Sequence, residues 1–331
     1  MKESVKKNKK KRTLIEMLIT SAILLAFVSF HYIQLKIEEP LRTPLGQIVE
    51  VGGHNMSVYK EGSGDKTLVF LSGSETPSPI LDFKSLFSLL SDTYTIVVVE
   101  RFGYGFSDVV DKPRDIDTVL SETRAALTAA GIDGPYVLCP HSMSGLEALY
   151  WAQQYPEEVE AIVGLDMAVP ESLENFEDNA ILNIINQFNA KIGFTRLLPL
   201  LNELDCVEHG TLTEKEKDIV HALLYSNFSN KTTINEFKYI SDNAKTVGAG
   251  EIPQVPMLLF VSNDASKTEL TDAIQRYANA AENANIIQLD CPHYVHNYEY
   301  NRISNEIKVF LQEKADSHRE EAISYWFLCL F

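Results

Sequence analysis

Cysteine is scarce in this chain. Only Cys139, Cys206, Cys291 and Cys329 occur among 331 residues, and none of them stands in a CxxC or Cys/His ligand spacing. This pattern argues against a disulfide-stapled scaffold and against a zinc module. Hydrophobic residues make up 45% and charged residues 23% of the chain, which are ordinary globular values and exclude a disordered or collagen-like protein.

Positive charge is outnumbered two to one by negative charge outside the N-terminus. The chain has 29 Lys+Arg and 46 Asp+Glu, but seven of the basic residues and only one acidic residue fall within residues 1–13. The remainder therefore carries 22 basic against 45 acidic residues. Because such an acidic body repels phosphate backbones, nucleic acid is not expected as a partner.

The basic N-terminus runs directly into an apolar stretch. Residues 14–33 form a run of 20 residues, about 30 Å long as a helix, which matches the hydrocarbon core of a bilayer. We predict a basic cytoplasmic tail at 1–13 and a transmembrane signal-anchor at 14–35, with the rest of the chain on the extracytoplasmic side. A cleaved signal peptide and a buried N-terminal helix are the alternatives.

Strand and helix patterns alternate after a linker at 36–45, which contains Pro40 and Pro44. Short apolar, β-rich runs predict strands at 47–51, 56–60, 67–71, 95–100, 136–139, 161–165, 257–261 and 285–289. Helix-like patterns occur near 80–90, 116–130, 143–154 and 302–314. Nearly all-apolar central strands indicate a parallel sheet covered on both faces, and thus an α/β fold.

One region interrupts this alternation. Residues 168–250 contain no convincing strand, but amphipathic segments lie at 180–188, 195–204 and 214–225. We therefore expect a core at 46–166 and 251–315, divided by a helical cap at 167–250. The apolar C-terminal end of the tail at 316–331 is too short to span a bilayer and has no assigned role.

The chemistry-bearing motif follows the predicted strand at 136–139. The sequence Pro140-His141-Ser142-Met143-Ser144-Gly145 leads directly into a helix. It resembles the nucleophile elbow of the α/β-hydrolase superfamily, usually G-x-S-x-G between a strand and a helix. The resemblance covers roughly residues 45–315 and implies an eight-stranded, mostly parallel sheet with flanking helices and a helical cap. It implies Ser142 as the nucleophile, with Pro140 and Ser144 in the usual glycine positions; Ser144 is the competing nucleophile.

The oxyanion hole is expected next to this elbow. In the superfamily, a turn after the third strand and the residue after the nucleophile each supply a backbone N–H. In this chain the turn is Ser72-Gly73-Ser74, so the resemblance implies the N–H groups of Ser74 and Met143.

The resemblance implies His293 as the base, because the superfamily places its histidine after the last strand. His296 is the alternative, whereas His141 flanks the nucleophile and cannot turn back onto it. For the acid, the usual order Ser…Asp…His selects Asp264 after the seventh strand. Some members carry the acid after the sixth strand, which would select Asp166.

These residues together predict a serine hydrolase that acts on a carboxylic ester or a related acyl substrate through an acyl-enzyme. A serine nucleophile argues against epoxide or haloalkane hydrolysis, which use an aspartate in this superfamily. No metal or organic cofactor is implied, and the expected partners are a small-molecule or lipid-like acyl substrate and the membrane. A membrane-tethered binding or sensory module on a non-catalytic scaffold and an acyltransferase are the alternative functions.

Overall fold

An eight-stranded sheet forms the centre of the protein. The computed structural model describes residues 2–313. Its strands are β1 (Gln47–Val51), β2 (His54–Glu61), β3 (Thr67–Leu71), β4 (Thr95–Glu100), β5 (Tyr136–Pro140), β6 (Val159–Leu165), β7 (Met257–Ser262) and β8 (Ala284–Leu289). All eight predicted strands are confirmed, with ends that differ by at most two residues.

The strand order is β1-β2-β4-β3-β5-β6-β7-β8. β1 pairs antiparallel with β2, and β2 pairs antiparallel with β4, whereas every pairing from β4 to β8 is parallel. The expected α/β fold with a mostly parallel sheet is therefore confirmed. Parallel strands bring their carboxyl ends to one edge of the sheet, which is where such folds carry their sites.

The described chain contains both helices that cover the two faces of the sheet and helices that lie elsewhere. They are α1 (Lys2–Ile37), α2 (Pro79–Asp82), α3 (Lys84–Phe87), α4 (Ile116–Ala129), α5 (Ser144–Gln154), α6 (Pro170–Leu173), α7 (Ala180–Ile192), α8 (Leu198–Leu201), α9 (Asp205–Glu208), α10 (Glu214–Asn227), α11 (Lys231–Gly248), α12 (Thr268–Ala280), α13 (Val295–Tyr298) and α14 (300–313).

The two faces of the sheet bury separate cores because side chains alternate along a strand. In β3, Val69 packs in a core with residues of α4, α5 and α12. The next residue, Phe70, packs in a second core with residues of α3 and α14. Burial on both faces explains why the central strands are apolar throughout.

A helical insertion, α6–α11, lies between β6 and β7. The predicted segments at 180–188 and 214–225 are confirmed as α7 and α10. The segment at 195–204 contains only a 3-10 turn, Phe194–Leu197, and the single-turn helix α8, because Pro199 has no N–H to continue a helix from the residues before it. The predicted helix at 80–90 is likewise divided into α2 and α3 at Phe83.

The N-terminal helix α1 is exposed along most of its described length. Within the described chain, its segment Asn8–Ile37 is long and apolar enough to cross a membrane. The linker expected at 36–45 contains a 3-10 turn, Glu39–Arg42. The apolar C-terminal tail at 316–331 lies outside the described residues.

Candidate active site

A sharp turn between β5 and α5 carries Ser142. Its φ of +53° lies in the left-handed region, a strained conformation for serine that costs on the order of 1–3 kcal/mol. β5 ends at Pro140 and α5 begins at Ser144, so the strand-turn-helix geometry of a nucleophile elbow forms. Proline in the usual glycine position does not prevent it. The Ser142 side chain is half-buried.

Two glycines allow neighbouring segments to approach this elbow. A Cβ added at Gly73 would lie 2.9 Å from the Cβ of Ser142 and 3.0 Å from Nδ1 of His141. A Cβ added at Gly145 would lie 2.1 Å from the carbonyl oxygen of Ala168. The loop after β3 and the loop after β6 can therefore pack against the elbow only because these positions lack a side chain.

Ser144, the competing nucleophile of the sequence analysis, is fully buried. Its hydroxyl lies 2.7 Å from the carbonyl oxygen of Leu71 and 2.9 Å from that of His141, and it accepts a hydrogen bond from the His141 N–H at 3.0 Å. Because the hydroxyl joins the elbow to the end of β3, its position is that of a structural residue.

His293 contacts the carboxylate of Asp166. Its Nδ1 lies 2.6 Å from Oδ2 of Asp166, whose side chain is completely buried at the end of β6. The same carboxylate accepts hydrogen bonds from the N–H of Ser262 at 3.0 Å and from its hydroxyl at 2.7 Å. A proton on Nδ1, facing Asp166, leaves Nε2 of a neutral His293 as a hydrogen-bond acceptor.

Asp264, which the sequence favoured as the acid, does not contact the imidazole of His293. It caps the 3-10 turn Ala265–Lys267, where its Oδ1 accepts hydrogen bonds from the Ser266 N–H at 2.8 Å and from the Ser266 hydroxyl at 2.7 Å. The Ser266 hydroxyl bond, with the backbone bond, lowers the pKa of the Asp264 carboxyl. Of the two candidate acids, Asp166 is the one whose carboxylate contacts the imidazole of His293, and this geometry favours Asp166 over Asp264.

Ser74 and Met143, the expected oxyanion residues, lie side by side. The Ser74 hydroxyl is 3.5 Å from Sδ of Met143. Among residues 2–313, no hydrogen bond from the backbone N–H of either residue to a protein acceptor is found. Free backbone N–H groups beside a nucleophile are the donors that an oxyanion hole requires.

A buried ion pair supports the loop that contains Ser74. One terminal nitrogen of the Arg101 guanidinium donates to Oε2 of Glu147 at 3.0 Å. The other terminal nitrogen donates to the carbonyl oxygen of Ser72, also at 3.0 Å. The second carboxylate oxygen of Glu147 accepts a hydrogen bond from the hydroxyl of Thr123 at 2.6 Å. Because Glu147 belongs to α5, this network fixes the loop after β3 relative to the helix that follows Ser142.

A second aspartate–histidine pair lies behind the first. Nε2 of His296 is 2.8 Å from Oδ2 of Asp82, and both side chains are buried. The ring of His141 lies between the two histidines, with its centroid 4.7 Å from those of His293 and His296. Burial, with the neighbouring imidazoles, holds the pKa of His141 well below its ordinary value, so that this ring is neutral. Asp82 could not be identified from the sequence, because nothing local connects α2 with the residues after β8.

Asp82, His141 and His296 could together hold a metal ion, since one ligand atom from each lies within 4.8 Å of the others. The Asp82 carboxylate, however, already accepts hydrogen bonds from His296 and, at 3.1 Å, from the side-chain amide of Asn297. These bonds satisfy the carboxylate without an ion.

Ser142 and His293 face one cleft of about 390 Å³ at the carboxyl edge of the sheet. Its walls come from the loops after β3, β5, β7 and β8 and from α9 of the insertion. They are formed by Gly73, Ser74, His141, Ser142, Asp205, Asp264, Lys267, Pro292, His293 and Tyr294.

A parallel sheet that presents a serine elbow, with a histidine–aspartate pair at the same edge, defines an α/β hydrolase. Comparisons with known proteins agree. The family described as alpha/beta hydrolase fold matches residues 66–202. The chain is 34% identical over 299 residues to the uncharacterized protein YbdG of Bacillus subtilis (strain 168), which covers 86% of this chain and 92% of that protein. This chain belongs to the α/β-hydrolase superfamily.

Two further similarities are more distant. The chain is 27% identical over 118 residues, 36% of this chain and 41% of the relative, to the 2-(acetamidomethylene)succinate hydrolase of Mesorhizobium japonicum. The epoxide hydrolase VrEH1 from Vigna radiata superposes with a TM-score of 0.63 at 18% identity, covering 81% of this chain and 97% of that structure. The structural similarity concerns the fold alone.

Proposed function

We propose that this protein is a serine hydrolase that cleaves a carboxylic ester or a related acyl substrate. The observation that carries the proposal is the contact of His293 with the buried Asp166 at the cleft that Ser142 also lines. Ser142, His293 and Asp166 thus supply the nucleophile, the base and the acid of the proposed triad.

In the proposed first step, Oγ of Ser142 attacks the acyl carbon while Nε2 of His293 accepts the hydroxyl proton. Asp166 remains ionised, keeps the Nδ1 proton of His293 in place and stabilises the imidazolium that forms. The N–H groups of Ser74 and Met143 donate hydrogen bonds to the oxyanion. His293 then returns the proton to the leaving alkoxide, so that an alcohol departs and the acyl group remains on Ser142.

In the second step, water attacks the acyl-enzyme. His293 accepts a proton from this water and returns it to Oγ of Ser142 as the carboxylic acid leaves. A serine nucleophile favours acyl chemistry, because the epoxide and haloalkane hydrolases of this superfamily use an aspartate.

Paired serine variants test this function. Ser142→Ala should lower kcat on a short p-nitrophenyl ester by several powers of ten, because it removes the nucleophile. Ser144→Ala is the matched control and should keep at least about a tenth of the activity, since that hydroxyl only joins the elbow to β3. Equal losses in the two variants would contradict the assignment, and a wild-type protein without esterase activity would favour a binding module.

We also propose that α1 anchors the protein in a membrane, with the catalytic region on the extracytoplasmic side. The length and apolar character of Asn8–Ile37 and the lysine-rich residues before it support this orientation.

A further inference from the structure

The helical insertion exposes a row of large apolar side chains. Ile181, Ile184, Ile185 and Phe188 recur at the spacing of one helical face in α7, and Ile181 is 73% exposed. Leu200 and Leu201 at the end of α8 are 80% and 83% exposed. We name these six residues the insertion face. Soluble monomers rarely leave such contiguous apolar surface in water, so a partner is expected to cover it.

The segment between α7 and α8 packs directly against α1. The rings of Phe27 and Phe194 lie edge to face with centroids 5.6 Å apart. Nε of Arg196 donates to Nδ1 of His31 at 3.0 Å, and both terminal nitrogens of Arg196 bind the carboxylate of Glu38, at 2.7 and 2.8 Å. A bidentate pair of this kind fixes orientation as well as distance.

Gly193, the last residue before this segment, makes the approach possible. It ends α7 with a φ of +87°, and a Cβ at this position would lie 2.5 Å from Cβ of His31. The backbone of the insertion thus touches α1 at a position where any side chain would collide.

The position of this contact along α1 indicates that the partner of the insertion face is the lipid bilayer. Phe27 precedes Ile33, the end of the apolar run, by six residues, which is about 9 Å along a helix. Helices that lie in a membrane surface bury their apolar face about 5–10 Å deep. If α1 spans a bilayer, the insertion meets it at that depth, with α7 directly before and α8 directly after the contacting segment along the chain.

We propose that the insertion face lies in the acyl-chain region of the phospholipid bilayer beside α1. The surrounding lipid supplies the apolar partner that the six side chains lack. Because Asp205 of the same insertion lines the cleft with Ser142, the arrangement favours an acyl ester carried by the membrane as the substrate class. This last step rests on the proposed serine-hydrolase function; the bilayer contact does not.

Depth-dependent fluorescence quenching tests the bilayer contact without relying on activity. The full chain, with Cys329→Ser to leave only buried native cysteines, is labelled at Ile184→Cys or Leu200→Cys and reconstituted in phosphatidylethanolamine–phosphatidylglycerol vesicles. Val309→Cys, at an exposed apolar position of α14, is the matched control. Lipids with a nitroxide on the upper acyl chain should quench the two insertion labels at least about threefold more than the control label.

Two other outcomes would overturn the proposal. Equal quenching at Val309 and at the insertion face would show unspecific contact with lipid. Insertion labels that are shielded from an aqueous quencher, yet not quenched by the lipid nitroxides, would show that a second copy of the chain covers the face.

A charge substitution tests the substrate class separately. Leu200→Asp with Leu201→Asp changes two exposed side chains away from the cleft, so turnover of a short soluble ester should stay unchanged. Hydrolysis of a long-chain ester embedded in vesicles should fall at least about tenfold, since placing charge in the hydrocarbon is costly. A double variant that keeps the wild-type rate on both substrates would overturn the proposal of a membrane-borne substrate. Inactivity of the wild type on both would instead refute the hydrolase proposal and leave the quenching result valid.

Discussion

At the residue scale, two aspartates at neighbouring strand ends differ in what their carboxylates bind. Asp166 is buried and accepts hydrogen bonds from Ser262 and from the imidazole of His293. Asp264 lies nearer to solvent and satisfies its carboxylate on Ser266, within its own turn. The first arrangement can orient the imidazole of a base, whereas the second caps a turn.

Asparagine substitutions separate these roles. Asp166→Asn keeps the shape but removes the charge that is proposed to orient and stabilise His293, so kcat should fall by about 10³ to 10⁴. Asp264→Asn, the matched control, should lose less than about tenfold, as a capping residue would. Steady-state kinetics and circular dichroism of both variants provide the measurement. A large loss in Asp264→Asn alone would return the acid to the end of β7.

Ser142 and His293 could be proposed from the sequence because each stands in a local pattern next to a strand. The choice between the two aspartates is not local. It depends on where the loop after β8 places the ring of His293, and this loop brings it to the end of β6, two strands away in the sheet. Spacing along the chain contains no such information.

At the element scale, the insertion is connected to the loops after β3 and β4 through Glu236 and Tyr104. The Tyr104 hydroxyl donates to Glu236 of α11 and lies 3.3 Å from the N–H of Glu75, for which it is the acceptor. Burial, and then the charge of Glu236, raises the pKa of Glu75 to about 7. Oε1 of Glu75 is buried without a hydrogen-bond partner among the described residues.

This junction predicts a pH dependence of stability. The raised pKa means that native Glu75 holds its proton between its ordinary value of 4.5 and about 7, whereas the unfolded chain releases it. Stability should therefore fall as pH rises through this window, by roughly 1–3 kcal/mol from this group.

Glu75→Gln removes the titration and should gain stability relative to wild type between pH 5 and pH 8, measured by urea unfolding. Glu282→Gln, at an exposed glutamate, is the control and should show no such gain. If the free energies of unfolding of Glu75→Gln and wild type differ by the same amount at pH 5 and at pH 8, the prediction is contradicted.

Element prediction succeeded where a pattern is strong. The buried strands are apolar throughout, and α4 and α5 follow a helical period. The long helices α11 and α12 were not predicted, because their sequences are polar on average, although the apolar residues that they contain keep to one helical face. In α12 that face is narrow, with only Ala273, Ile274 and Ala278 buried.

At the scale of the whole molecule, both the charge distribution and the fold divide the chain into an N-terminal part and a hydrolase body. An acidic hydrolase body follows a basic segment and one long apolar helix, and α1 is joined to the insertion through Arg196. The overall α/β architecture could be predicted from strand–helix alternation and the elbow motif. The packing of the insertion against α1 could not, since residues 31 and 196 are far apart in sequence and share no motif.

The proposed orientation predicts the result of proteolysis on intact cells. A protease added from outside should cleave the catalytic region, because lysine-rich residues before an apolar helix remain in the cytoplasm. A cytoplasmic marker protein should stay intact in the same sample. Complete protection of the catalytic region, with cleavage only after the cells are permeabilised, would contradict the orientation.

Covalent labelling by a fluorophosphonate tests the central claim, that Ser142 is an activated nucleophile, most directly. The probe reacts with a serine hydroxyl that a neighbouring base deprotonates. Peptide mass spectrometry of the labelled wild type should place the adduct on Ser142, and Ser144→Ala should label as wild type does. Ser142→Ala should remain unlabelled. An unlabelled wild type, or an adduct that persists in Ser142→Ala, would contradict the account.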